Sequence, residues 1–300
     1  MRRQHLALLL LLAALWGGSF LFIRIAAPAF GPALMVELRV LVAGASLFGW
    51  SALQRRRLPL VVPWPRYLLL GLLNAAAPFG LIGAAELTLP AATAAIINAT
   101  TPLFAALGAA VFLQERLTPR KVAGVLLGIA GVVVLVGFHT RAQSDIIAAA
   151  LSVAAAVLYA AGGIYGKLAF PGVPARSLAA YQQIGAAIAM LPLAVWLRPQ
   201  GTPGFAADIS LLALAVACTA LAYLIYFRLL TEAGPTFTLS VTFLVPVFGT
   251  LWGWSLLGER IGPSAALGLI VILLSVALVT DIRIGRRLSA GSGAAAAPER

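Results

Sequence analysis

The chain has 300 residues, of which 62% are hydrophobic and only 10% charged, with a mean hydropathy of +1.01 and a net charge of +12. Soluble domains carry roughly a quarter charged residues, so the apolar excess excludes a single water-facing core and points to several membrane crossings. The basic residues mostly flank apolar runs and do not interleave with aromatics on a polar surface, so nucleic acid is not an expected partner. Cys218 is the sole cysteine, which rules out an internal disulfide. His5 and His139 are far apart and have no neighbouring Cys or Asp, so neither a metal site nor a cofactor is expected.

The opening MRRQHLALLLLLAALWGGSF has the basic and apolar regions of a signal peptide. The apolar stretch continues to Ala27, with only Arg24 interrupting it, and is echoed later, so it reads as a retained first helix. Hydropathy predicts helices at 6–26, 34–53, 67–86, 91–113, 119–138, 146–166, 177–197, 210–230, 236–257 and 263–281, each near the ~20 residues a span requires. Arg55-Arg56-Arg57 and Pro59, Pro63 and Pro65 separate the second from the third. Thr118-Pro119 suits the start of the fifth, because a proline at the first helical position loses no needed hydrogen bond. The small, polar stretch 286–300 is expected to be a disordered cytoplasmic tail. With the N-terminus inside, sixteen Lys and Arg fall on the inner side and three, Arg141, Arg198 and Arg260, on the outer. That bias predicts cytoplasmic termini.

One phrase occurs twice. Residues 102–116 read PLFAALGAAVFLQER and residues 246–260 read PVFGTLWGWSLLGER. Pro102, Phe104, Leu107, Leu113, Glu115, Arg116, Pro119, Gly124 and Val132 are matched by Pro246, Phe248, Leu251, Leu257, Glu259, Arg260, Pro263, Gly268 and Val276. Trp16 and Arg24 likewise correspond to Tyr159 and Lys167. Two five-helix units are therefore expected, at 1–140 and 141–285. Because five is odd, the second must enter the membrane from the opposite side, as an inverted repeat. The loop charges agree, since Arg120 and Lys121 of the first copy become Ser264 and Ala265 in the second.

These features resemble the EamA-type transporters of the drug/metabolite transporter superfamily. The resemblance rests on Trp16-Gly17 with a base eight residues later, on Arg39 early in helix two, and on the P-x12-E-R-x2-P phrase in both halves. It covers the whole chain except the tail. It implies an all-α fold of ten transmembrane helices, a central cavity between the halves, and export of amino acids, drugs or other small metabolites.

Candidate substrate-binding residues follow from the prolines. Pro78, Pro102 and Pro246 stand four residues after Asn74, Asn98 and Thr242. Proline cannot donate to the carbonyl four residues back, so each frees an oxygen beside a polar side chain. In lipid such an oxygen needs a partner, from protein, water or ligand. Ordinary kinks satisfied by Asn or Thr are the competing reading. Trp16, Phe20, Tyr159 and Tyr223 supply aromatic walls suited to an amphiphile, with packing or an interfacial belt as the alternative, above all for Tyr226. Thr219, Tyr223 and Tyr226 share one helical face. Of Gln182 and Gln183, Gln183 is the selected candidate.

The remaining charges read mainly as structure. Both Glu-Arg pairs are expected to cap or bridge helix ends, and Arg24 and Lys167 to snorkel. Glu86 is the one acid away from a charged loop and the possible coupling group, against the plainer expectation of a solvated helix-end carboxylate. The glycine pairs Gly124/Gly128 and Gly249/Gly253 read as packing positions. The expected protein is a secondary transporter of the bacterial inner membrane, monomeric or homodimeric, whose partners are a small-molecule substrate and the lipid bilayer. A membrane enzyme is not expected, because the sequence has no paired deep carboxylates, no HExxH, no CxxC and no nucleophile with a base. A scaffold or lipid-binding subunit is the alternative.

Overall fold

The computed structural model describes residues 3–137, 143–197, 199 and 202–280. Outside these lie His139, the expected boundary at 140–141, the expected tail 286–300, and Arg2, Arg141, Arg198, Arg283, Arg286, Arg287 and Arg300. The described residues form helices joined by short connections, with no strand among them. Among the described residues, nine helices are long and apolar enough to cross a membrane: α1 (Arg3–Phe30), α2 (Pro32–Leu53), α3 (Trp64–Ala85), α4 (Ala91–Phe112), α5 (Pro119–Val136), α6 (Gln143–Ala169), α7 (Ala175–Trp196), α8 (Phe205–Glu232) and α9 (Phe237–Leu257). The tenth expected segment is the shorter apolar helix α10 (Pro263–Val279). Large side chains such as Val111, Phe112, Leu126, Val133 and Leu274 lie exposed on the outer faces. In water they would be a liability, whereas lipid covers them at no cost.

The helix starts obey local chemistry. Gly31 takes a φ of +70°, open to glycine, and Pro32 then begins α2. Thr118 Oγ1 accepts from the Lys121 N–H at 3.3 Å and caps α5, as its sequence suggests. The two copies of the repeated phrase end alike. Gln114 and Gly258 both adopt a positive φ, and the next residue's N–H returns to Ala109 O in one and Gly253 O in the other. These ends differ in what the glutamate does. Glu259 accepts from the Ala91 and Ala92 N–H groups at 2.7 and 3.0 Å, capping the start of α4. Glu115 is instead exposed, with Lys121 at 3.7 Å and Lys167 at 3.5 Å.

Packing depends on close backbone approach. α1 lies against α9, where a Cβ on Gly17 would stand 2.7 Å from the Gly249 nitrogen and the Phe248 Cβ. α5 packs along α10 through Gly124, Gly128 and Gly131, facing Ile272, Ser275 and Val279. The main apolar cluster gathers residues from α1 to α4 and α6 to α9, with a second one where α4, α6, α5 and α10 meet. Gly163, by contrast, has nothing within 4 Å of an added Cβ. Gly17→Val is therefore expected to destabilise the protein by about 1–3 kcal/mol, while Gly163→Ala leaves stability unchanged or raised. Thermal melts in detergent check both.

Candidate functional site

Two helices widen where polar side chains turn inward. In α3, a π-turn at Leu72–Ala76 precedes Pro78, and the Ala77 N–H reaches back to the Leu72 carbonyl. The bond that Pro78 cannot make is thus absorbed by a wider turn, not by a simple kink. In α8, a longer π-segment spans Ala213–Leu221 with no proline to mark it. The Thr219 hydroxyl donates to the Leu214 carbonyl at 2.7 Å inside that segment. α4 is interrupted outright: Ala91–Asn98 and Thr101–Phe112 are separate helices joined by a turn.

Side chains from four helices meet between these irregular turns. Asn74 Nδ2 donates to Gln182 Oε1 at 3.1 Å, and Gln182 Nε2 donates to the Tyr223 hydroxyl at 2.9 Å. Tyr223 meets the Trp16 ring edge to face, with centroids 6.5 Å apart, and Trp16 also packs on Tyr226 at 5.5 Å. A polar and aromatic chain therefore links α3, α7, α8 and α1. Phe20 is buried in the main apolar cluster, and Tyr159 on α6 faces Phe79 at 6.2 Å.

The cation at the centre is Arg39. Helix α2 starts at Pro32, so Arg39 sits about 10 Å along its axis. Only 3% of its surface is exposed. Its Nε donates to Thr219 Oγ1 at 2.9 Å, and its guanidinium carbon lies 3.7 Å above the Phe79 ring. The nitrogen Nη1 is buried with no hydrogen-bond partner. An arginine inside a membrane helix is costly, by up to about 2.5–3.5 kcal/mol at the helix centre on insertion scales. One hydroxyl and one ring face offset that only in part.

The other expected residues are distributed unevenly. The Asn98 carbonyl, freed by Pro102, accepts from the Thr101 hydroxyl at 2.7 Å. What remains unpartnered is the Asn98 side-chain oxygen. Thr242 is half-buried, and its hydroxyl returns to the Leu239 carbonyl at 2.9 Å and not to another candidate residue. Gln183 is fully buried beside Gly44 of α2, with both amide atoms unpartnered. The glutamine that joins the polar chain is its neighbour Gln182. Neither Gln182 nor Arg39 was selected as a substrate contact from sequence; an ionisable residue inside an apolar helix was the signal available for Arg39.

Glu86 departs from expectation. It is wholly buried, not solvated, and both carboxylate oxygens lack a hydrogen-bond partner. Arg24 does not snorkel outward; its guanidinium donates to the Glu86 backbone carbonyl. Together with Glu259 on the α4 start, this fastens one end of the bundle. At the other end a cleft of about 740 Å³ opens, lined by Arg56 and Arg57 after α2, Arg176 on α7, and Phe227 and Arg228 on α8. The cleft does not include the polar chain itself. Its wall at Phe227 stacks on Tyr223 at 6.0 Å, which places the two one ring apart. The bundle therefore holds a polar chain across four helices, a cleft whose wall lies one ring away from it, and the Arg24 and Glu259 contacts at the opposite end.

Comparison with known proteins agrees with this architecture. The profile of the EamA-like transporter family matches residues 5–137 and again 146–281. The chain is 31% identical to a "Probable amino-acid metabolite efflux pump" of Salmonella typhimurium, covering 91% of this chain and 93% of that protein. It is 28% identical to the "Uncharacterized transporter YvbV" of Bacillus subtilis, over 91% and 90% of the two chains. It is also 28% identical to the "Uncharacterized inner membrane transporter YedA" of Escherichia coli K12, over 89% and 87%. A protein crystal structure shares the fold, with a TM-score of 0.66 at 22% identity over 95% of this chain and 100% of that one. With a family match to both halves and apolar helices throughout, this multi-pass membrane protein belongs to the EamA-like transporter family.

Proposed function

We propose that the protein is a ten-helix secondary carrier that exports a small organic metabolite across the bacterial inner membrane, with both termini cytoplasmic. The two halves, 1–140 and 141–285, are inverted repeats that rock about the polar strip between them. The observation that carries this reading is the unequal pair of glutamates. Glu259 clamps the first turn of α4, whereas Glu115, at the same place in the repeated phrase, is solvent-exposed beside two lysines. One end of the bundle is thereby shut and the other open, as a carrier holding one face of an alternating cycle requires. The identical returns of the chain at Gln114-Glu115 and Gly258-Glu259 support the repeat. Contacts of helix ends support opposite senses of entry: α1 begins beside the end of α8, where His5 lies 3.3 Å from Glu232, and α9 ends beside the start of α4.

Trp16, Phe20, Asn74, Asn98, Tyr159, Gln183, Tyr223 and Thr242 remain the proposed substrate contacts, to which the geometry adds Gln182. Asn74, Gln182, Tyr223 and Trp16 form the continuous part of that lining. Glu86, buried at the sealed end, is the proposed coupling carboxylate. The relatives named for amino-acid metabolite efflux and for terminal-alkyne amino-acid export, the latter 26% identical, favour efflux of compounds of that size.

Two experiments test the reading. In a Cys218→Ala background, Arg116→Cys and Arg260→Cys are expected to react with an impermeant maleimide from opposite sides of the membrane, Arg116→Cys from the cytoplasmic side. Labelling from one side would end the inverted arrangement. In proteoliposomes, saturable flux of an amino-acid and amphiphile panel is expected, and Trp16→Ala or Tyr223→Phe should lower it at least fivefold while insertion and melting temperature hold. Absence of flux for every compound would leave a scaffold or lipid-binding role instead. Glu259→Ala is expected to cost about 0.5–2 kcal/mol as a lost helix cap and to increase maleimide access to the Ala92→Cys position from the outer side.

A further inference from the structure

We infer that Arg39 receives an anionic group of the transported compound, and that the substrate class is an organic carboxylate with an apolar or aromatic body. The inference rests on the carrier reading and deepens it. A guanidinium offers five N–H donors in a planar fork that matches a carboxylate. In Arg39 the protein itself uses Nε, on Thr219, and leaves the buried Nη1 without a partner. Phe79 and Thr219 hold the fork from two sides, so its direction is fixed before any ligand arrives. Among the described residues no carboxylate stands within ion-pair distance of it. The buried Glu86 carboxylate does not bond it, since both Glu86 oxygens are themselves unpartnered.

A fixed, buried cation with an open donor and no counter-ion is complementary to an anion that comes and goes. The surroundings select among anions. The Phe79 ring covers the guanidinium from one side and the Thr219 hydroxyl meets it from another. One cation among aromatic and hydroxyl groups matches a single carboxylate with a hydrocarbon body, whereas a phosphate dianion would meet too few donors. The cleft adds a second observation. Arg56, Arg57, Arg176 and Arg228 line it, and Glu232 is its one acid, engaged by Arg228 at 2.9 Å. Such a vestibule raises the local concentration of anions. The same charges also serve membrane orientation, so the argument stands on Arg39 first.

The test uses the full-length protein in detergent and in proteoliposomes, with 3-phenylpropanoate, hexanoate and phenylalanine, each paired with its primary amide. Wild-type protein is expected to bind at least one carboxylate tenfold or more tightly than its amide, read by thermal stabilisation and intrinsic tryptophan fluorescence. Arg39→Gln should erase that preference while leaving the unliganded melting temperature within a few degrees, and Arg39→Lys should restore part of it. A purely structural role for Arg39 would lower the melting temperature without changing the carboxylate-to-amide ratio. Equal wild-type affinity for acid and amide overturns the inference, whether or not Arg39→Gln folds, as does a preference that survives the substitution. If the wild type moves only neutral or cationic compounds, the carrier reading stands and the assignment of Arg39 falls. If it moves nothing, the carrier reading falls as well.

Discussion

A backbone amide or carbonyl left open in hydrocarbon has no water to turn to, so lipid-facing helix must be regular and any irregular turn must find its partners inside the protein. That constraint organises this structure. The π-turn of α3, the π-segment of α8 and the break in α4 each bring their own relief: Ala77 N–H onto Leu72 O, Thr219 Oγ1 onto Leu214 O, and Thr101 Oγ1 onto Asn98 O. Asn74 lies inside the first of these segments and Thr219 inside the second, so the irregular backbone and the polar side chains occupy the same interior. Regular helix would have stacked these side chains on the i, i+4 register of their neighbours. The wider turns shift that register, and it is there that Thr219 accepts the Nε–H of Arg39.

Much of this was legible in sequence. Runs of apolar residues fix the helices because the bilayer sets a minimum length, and prolines mark three starts, Pro32, Pro119 and Pro263, because a first-turn residue has no intrahelical bond to lose. The duplicated phrase was visible because both copies carry the same residues at the same helix end. What stayed hidden depends on the third dimension. A π-turn is an inserted residue with no residue type of its own, so the α8 segment left no trace, and Pro78 read as a kink. Whether Gln182 or Gln183 meets Asn74 is a rotation of about 100° about α7, which two adjacent glutamines cannot report. Glu86 looked like a solvated end because only tertiary packing shows that α1 and its Arg24 close over it.

The two ends of the repeated phrase also show how duplication can be kept while equivalence is lost. Glu259 uses the first two N–H groups of α4, those of Ala91 and Ala92. At the matching offset of 144 residues, the partners for Glu115 would be Pro235 and Thr236, and proline has no N–H to give. The two places are therefore unequal by construction: Glu259 meets two adjacent N–H donors, and the corresponding positions for Glu115 hold one. Lys121 and Lys167 draw Glu115 toward solvent in addition, and Lys121 has Ala265 as its counterpart in the other half. In the proposed orientation, the loop charges that favour one topology are thus also the ones that hold Glu115 away from a helix start.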